Sequence, residues 1–291
     1  MAIETVAVVG AGLMGTGITQ VVAEAGFPVK WFDVSSSQLQ NGLGTINQLL
    51  KRKEEKAKSA IGHREAALQQ IKTVSEFSEI RDADLVIEAV PEQLELKKQV
   101  FTQLDEVMKT GAILASNTSA LSISAISSAT KRPEFVVGAH FFYPVPVLGL
   151  LEVTPGLLTS QSVFDAVMDF GRQIGKTPVA CKDYPGFIVN RLLIPMVNEA
   201  IYLVMEGVKP EDIDAAMKIG ANHPMGPITL ADFVGLETLL ATMEGLYEGF
   251  KDSKYRPCPL LVKLVEAGLL GRKSGRGFYR YNEKGEKVDA S

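Results

Sequence analysis

Two cysteines, three histidines and one tryptophan are all that 291 residues hold of these types, and each scarcity removes an option. Cys181 and Cys258 are too few for a disulfide framework in a chain this long. Neither has a histidine close in sequence, so both are expected to pack as small apolar residues, and no metal site is expected. Charge of one sign is also missing. Thirty Lys and Arg against 34 Asp and Glu leave a formal net charge of −4, which argues against a nucleic-acid partner. No apolar run has the length of a membrane span, because the most apolar stretch, 192–205, is interrupted by Asn198 and Glu199. The N-terminus enters a β-type run at once, with Glu4 where a secretory signal would carry positive charge. A cytoplasmic location is the expectation. What is present is an ordinary globular balance, 46% hydrophobic and 22% charged, in a chain long enough for one large domain or two smaller ones.

The order of patterns divides the chain near residue 183. Before it, short and nearly continuous apolar runs at 3–9, 29–32, 84–90, 112–115 and 136–139 read as buried strands, with helical patterns between them. That alternation predicts an α/β fold: a Rossmann-type doubly wound sheet over 1–183, with a long polar helical arm at 37–59 as an insertion. After Lys182-Asp183-Tyr184-Pro185-Gly186 only helical periodicities follow, at 187–206, 210–219, 230–250 and 260–267. An all-α C-terminal domain over 184–291 is therefore expected.

The first strand runs directly into Gly10-Ala11-Gly12-Leu13-Met14-Gly15, a helical pattern follows, and the second strand ends at Asp33. A glycine string alone is weak evidence; strand, glycine turn, helix, strand and acid in series are strong evidence for a dinucleotide site. Gly10 permits the tight turn, Gly12 lets backbone approach a pyrophosphate, and Gly15 brings helix close to strand. Asp33, eighteen residues past Gly15, is placed to accept hydrogen bonds from ribose hydroxyls. It would repel a 2′-phosphate, and Val34-Ser35-Ser36-Ser37 offers no arginine to bind one, so NAD is favoured over NADP.

His140, in HFFYPVP, and Glu152, in LLEV, form the second informative pair. A histidine is the natural proton acceptor near neutral pH, and a carboxylate against its other ring nitrogen fixes the tautomer and stabilises the imidazolium. Pro144, Pro146 and Gly149 lie between two apolar runs, 135–142 and 150–153, so the pattern predicts two strands joined by a tight connection. Residues 140 and 152 are symmetric about Pro146 and would meet at one end of that hairpin. The other two histidines carry less: His63 is expected to be solvated and His223 to support its turn.

These residues, with further motifs, resemble the L-3-hydroxyacyl-CoA dehydrogenases, especially the bacterial 3-hydroxybutyryl-CoA dehydrogenases. The resemblance covers nearly the whole chain. It rests on GAGLMG at 10–15, AVPE at 89–92, SNTSAL at 116–121, HFFYPVP at 140–146 and LLEV at 150–153. It continues through KDYPGFIVNRLL at 182–193, NHPMGP at 222–227 and GRKSGRGFY at 271–279. By position it implies His140 and Glu152 as the catalytic pair and Ser119 and Asn190 as polar residues around the reacting oxygen. It also implies Asp33 as the ribose acid, and Val90, Glu92, Lys97, Ser119, Tyr143 and Lys273 as further NAD contacts. Lys56 corresponds to a basic residue that touches coenzyme A, with Leu49 at another contact position. Tyr143 is a departure, since the family usually has asparagine there. An acyl-CoA substrate of short chain length and a homodimer through the C-terminal domain are further implications.

Two rival functions are weighed against this one. Dehydrogenases of free 3-hydroxyacids place a lysine base on the long helix after the linker, and Phe187-Ile188-Val189-Asn190-Arg191 has none. A non-enzymatic NAD-binding protein would have no use for His140, Glu152, Asn190 and Ser119 together.

Overall fold

The computed structural model describes residues 1–56 and 58–288 and divides into two compact units, Met1–Asp183 and Tyr184–Ser291. In the first unit the strands are β1 (Val6–Val9), β2 (Val29–Phe32), β3 (Ile71–Val74), β4 (Leu85–Glu88), β5 (Ile113–Ser116), β6 (Val136–Phe141), β7 (Leu150–Pro155) and β8 (Thr177–Ala180). They form one sheet in the order β3-β2-β1-β4-β5-β6-β7-β8. All neighbours are parallel except β6 and β7, which are antiparallel. The helices are α1 (Leu13–Glu24), α2 (Ser36–Glu55), α3 (His63–Gln69), α4 (Leu94–Val107), α5 (Ile123–Ser127) and α6 (Gln161–Gln173). β1, β4 and β5 are buried at every residue, which is why their sequences are apolar without alternation.

β1 pairs with β2 on one side and β4 on the other, so the winding of the sheet reverses there. In open α/β sheets the crevice beyond the carboxyl ends at such a point is where ligands bind. The glycine turn leaves β1 at that point. Trp31, fully buried in β2, pins it by donating its indole N–H to the Gly10 carbonyl at 2.9 Å.

The polar arm differs from the single helix expected over 37–59. Helix α2 starts one residue earlier, where the Ser35 hydroxyl accepts the Gln38 amide at 3.3 Å, and ends at Glu55; α3 follows before the sheet resumes with β3. His63, expected to be solvated, is half-buried instead. Its Nε2 lies 3.4 Å from Glu24, a carboxylate that Lys53 also holds at 2.6 Å, because α1 packs against both α2 and α3.

The second unit contains α7 (Val189–Met205), α8 (Pro210–Gly220), α9 (Pro227–Val234), α10 (Leu236–Phe250) and α11 (Pro259–Glu266). Its core is built from Val197, Ile201, Ile228, Leu236, Leu239, Met243 and Leu261. Asn198, a polar residue within the largely apolar α7, is buried and earns its place by bonding: its side chain donates to the Arg256 carbonyl at 3.1 Å and accepts the Cys258 amide at 2.8 Å. The single helix expected over 230–250 is two, because Gly235 adopts φ 98°, a left-handed backbone that ends α9. The C-terminal domain is helical as expected, with one small addition. β9 (Arg280–Tyr281) and β10 (Lys287–Val288) form a two-stranded antiparallel ribbon. Buried Asp232 accepts the amides of Phe278 and Tyr279 and the Tyr281 hydroxyl, tying the start of the ribbon to α9.

Among the described residues no helix is long and apolar enough to cross a membrane, and no group of three His, Cys, Asp or Glu is placed to hold a metal.

Candidate active site

The glycine turn has the shape a dinucleotide needs. A Cβ on Gly10 would stand 2.7 Å from the Ala89 carbonyl oxygen, and one on Gly15 would stand 1.9 Å from the Gly10 carbonyl oxygen. Both positions are closed by the protein's own backbone. A Cβ on Gly12 would meet nothing within 4 Å, so the space beside Gly12 is open. Gly12 is also the N-cap of α1 and provides no side-chain cap, which leaves the first-turn amides, Leu13 and Met14 among them, aimed toward an anion. Leu13 is largely exposed and Ala11 is buried. Asp33 accepts the Ala11 amide at 2.6 Å through one oxygen and the Ser35 amide at 2.8 Å through the other. The acid at the end of β2 is thus locked to the turn, with lone pairs in reserve for ribose hydroxyls.

Opposite this turn, β4 ends in Glu88, and the segment 89–92 continues from it. Glu92 accepts the Thr118 hydroxyl at 2.6 Å, the Ser119 amide at 2.8 Å, the Ser119 hydroxyl at 3.2 Å and the Ala120 amide at 3.3 Å. Burial by itself would raise its carboxyl, but the charge of Lys97 and these donors overcome that and hold it below the usual carboxylate range. Ser119 is half-buried in this turn. Lys97 is wholly enclosed, and its ammonium pairs with Glu88 at 2.7 Å and approaches Glu92 at 3.4 Å.

The histidine and glutamate meet as the hairpin reading predicts. His140 and Glu152 are register partners across β6 and β7, and Nδ1 lies 2.8 Å from Oε2, with 7% and 1% of the residues exposed. The connection is eight residues long rather than tight, and it is clamped from below. Buried Lys176 donates to the carbonyls of Val145 and Leu148, and burial lowers its pKa. Tyr143, in this connection, is 56% exposed. Asn117 accepts the Phe141 amide at 2.8 Å and so ties the end of β6 to the turn that carries Ser119. Cys181 lies beside Glu152; burial first, then that carboxylate's charge, pushes its thiol up to about 12, which makes it inert.

Lys56, at the C-cap of α2, is exposed, and Leu49 is 37% exposed. Asn190 and Lys273 belong to the second unit. Asn190 is half-buried in the first turn of α7, and exposed Lys273 pairs with Glu237. Glu88, Ser116, Asn117, Thr118 and Lys176 were not anticipated. The one available signal was Glu88, an acid closing an otherwise apolar strand, Leu85-Val86-Ile87-Glu88.

Comparison with known proteins agrees with this architecture over nearly the full length. Residues 5–184 match the family model described as the NAD binding domain of 3-hydroxyacyl-CoA dehydrogenase, and residues 186–281 match that of its C-terminal domain. The chain is 50% identical over 285 residues to a probable 3-hydroxybutyryl-CoA dehydrogenase of Bacillus subtilis, covering 98% of this chain and 99% of the relative. It is 50% identical over 280 residues to the 3-hydroxybutyryl-CoA dehydrogenase of Bradyrhizobium diazoefficiens, with 96% of each covered. The crystal structure of the (S)-3-hydroxybutyryl-CoA dehydrogenase of Ralstonia eutropha superposes with a TM-score of 0.94 at 44% identity, covering 97% of this chain and all of that one. Both domains being matched in order, the chain belongs to the 3-hydroxyacyl-CoA dehydrogenase family, oxidoreductases whose N-terminal domain binds NAD.

Proposed function

We propose that this protein interconverts (S)-3-hydroxybutyryl-CoA and acetoacetyl-CoA, with His140 as the acid-base residue and Glu152 as its orienting carboxylate. The observation that carries this reading is the buried 2.8 Å contact between His140 Nδ1 and Glu152, in a domain that also presents the glycine turn and Asp33. A carboxylate at Nδ1 keeps the proton there and makes Nε2 the basic nitrogen. In the oxidative direction His140 takes the proton of the 3-hydroxyl, and Glu152 offsets the positive charge as it forms. NAD, when bound, supplies the hydride acceptor. In reduction the imidazolium returns the proton to the ketone oxygen.

Ser119 offers a hydroxyl that both donates and accepts, suited to the oxygen that alternates between hydroxyl and carbonyl. Asn190 is assigned the same task, and Lys273 a cofactor contact, on their positions in the family motifs alone. Val90 and Glu92 line the cofactor side of the first unit, and Tyr143 is assigned to the nicotinamide side. Lys56, exposed at the end of α2 with Arg52 and Lys53 in the preceding turn, is assigned to the coenzyme A phosphates. Apolar side chains exposed on the second unit, Leu192 at 70% and Ile219 at 85%, support association of two copies through that unit. A cytoplasmic location completes the proposal.

The test is absorbance at ~340 nm as the purified protein oxidises NADH with acetoacetyl-CoA, with free acetoacetate and NADPH as the comparison arms. Turnover should be at least ~10²-fold faster with the thioester and NADH, because free acetoacetate lacks the remote binding groups whose energy is used at the reacting carbon. Equal rates on acetoacetate and acetoacetyl-CoA would refute the acyl-CoA assignment.

A further inference from the structure

Arg191 stands next to Asn190 in the first turn of α7 and has no part in the proton transfer. Its guanidinium lies over the Phe250 ring, 4.5 Å from the centroid, and its Nε–H donates to the Tyr255 hydroxyl at 3.3 Å. Phe250 is the last residue of α10; Tyr255 stacks on it with centroids 5.0 Å apart, and Tyr184 lies nearly parallel to it at 6.4 Å. The residues that lead into α7 converge on the same end of α10. Gly249 leaves room for Pro185, which a Cβ there would approach within 2.3 Å. A Cβ on Gly186 would stand 2.7 Å from the Leu246 side chain and 3.0 Å from the Arg191 amide nitrogen. Beyond them, buried Phe187 adopts φ 47°. A bulky residue at positive φ is strained backbone that persists only where its surroundings over-determine it. Ile188, at the N-cap of α7, has no side-chain oxygen to close the helix. The start of α7 is thus set from outside, by the aromatic end of α10.

We infer that Arg191 is a positioning residue for Asn190: held by Phe250 and Tyr255, it fixes the first turn of α7 and with it the neighbouring amide. Arginine suits this task because one planar group stacks on a ring while its edge donates a directed N–H. A lysine ammonium, a point charge on a flexible stem, cannot do both. The inference rests on the reading of Asn190 as a residue that holds the reacting oxygen, and Asn190→Ala alone is the control that separates failure of that reading from failure of this one.

The experiment is a double-mutant cycle on Arg191→Met and Asn190→Ala, read by kcat with acetoacetyl-CoA at saturating NADH, by fluorescence titration with NADH and by thermal melting. Asn190→Ala should lower kcat by at least about tenfold. Arg191→Met should lower it at least about fivefold when Asn190 is present, and by less than about twofold in the Asn190→Ala background, where nothing is left to position. NADH affinity should stay within about twofold throughout. The fall in melting temperature caused by Arg191→Met should be the same in both backgrounds, and a merely structural role would make the kcat loss the same in both as well. Arg191→Lys keeps the charge and Phe250→Leu keeps an apolar side chain; both should follow the same pattern on a smaller scale, and they carry the test if Arg191→Met does not fold. Equal kcat losses from the Arg191 variants in the two backgrounds would overturn the inference and leave the assignment of Asn190 intact. A Phe250→Leu protein with normal kcat beside a defective Arg191→Lys one would also overturn it, that being the pattern of a direct contact between Arg191 and substrate. An Asn190→Ala protein with unaltered kcat would overturn the reading of Asn190 and this inference together.

Discussion

Replacing Glu152 by Gln isolates the electrostatic half of the proposed acid-base pair, because the amide keeps the size of the side chain and an oxygen that accepts a hydrogen bond. With His140 and Glu152 both buried and Nδ1 2.8 Å from Oε2, the charge centres of an imidazolium and a carboxylate stand about 4 Å apart. At an effective dielectric of about 20 their attraction is about 4 kcal/mol. The hydrogen bond retained by the amide returns about 1–2 kcal/mol of that. A loss of about 2–3 kcal/mol is left, which corresponds to roughly 30- to 150-fold in rate. The loss belongs to the step in which the ring becomes charged. It should therefore appear in kcat with 3-hydroxybutyryl-CoA, the direction in which His140 takes the proton, and NADH affinity, measured by fluorescence titration, should change by less than about threefold. A Glu152→Gln protein with kcat within threefold of the unaltered one would refute the reasoning. So would one whose whole defect lay in NADH binding, since that would make Glu152 a support for the fold near the cofactor.

Two glycines at the start of α1, Gly12 and Gly15, should separate stability from binding. Gly15→Ala forces a Cβ to within 1.9 Å of the Gly10 carbonyl oxygen and is expected to destabilise the fold by about 3 kcal/mol or more, seen as a lowered melting temperature. Gly12→Ala meets nothing within 4 Å at a backbone φ of −71°, so the fold should melt nearly unchanged while NADH binding weakens at least about tenfold; equal melting losses in both variants would contradict the open-space argument. Asp84 ties β1 to β4 by accepting the amides of Glu4 and Thr5, the Thr5 hydroxyl and the Lys109 ammonium. Burial works against its charged form, but Lys109 and the other donors prevail and hold its carboxyl down at about 2. A depressed carboxylate stabilises the fold above its unfolded value and loses that contribution as pH falls toward its folded value. The melting difference between the unaltered protein and Asp84→Asn should therefore be full at pH 7, shrink below pH 4 and fade out below pH 2; a difference undiminished at pH 2 would be against it.

How far the sequence could be read follows from how each feature is encoded. Strands buried on both faces announce themselves as short apolar runs, which is why β1, β2, β4, β5 and β6 were all anticipated. β3 and β8 are the two edges of the sheet, partly exposed, and β8 contains Pro178; neither had to be apolar, so neither left a run to find. The break at Gly235 depends on a single positive φ, which an apolar period running through 230–250 conceals. His140 and Glu152 were legible because a hairpin converts twelve residues of separation into one cross-strand pair. Asp33 was legible because the βαβ unit has a nearly constant length. The Glu88 network has neither advantage. Its side-chain donors, Ser116 and Lys97, stand 28 and nine residues away and meet Glu88 only once β5 has paired with β4 and α4 has brought Lys97 against it. What a single chain does reveal of such a network is its cost. A carboxylate at the end of a strand whose other residues are all apolar must be either solvated or paired. Glu88 sits at the switch-point end of the sheet, where the backbone is packed against the glycine turn, so water is excluded and a buried cation becomes the requirement. That requirement, and not helical propensity, accounts for a lysine on the inner face of α4.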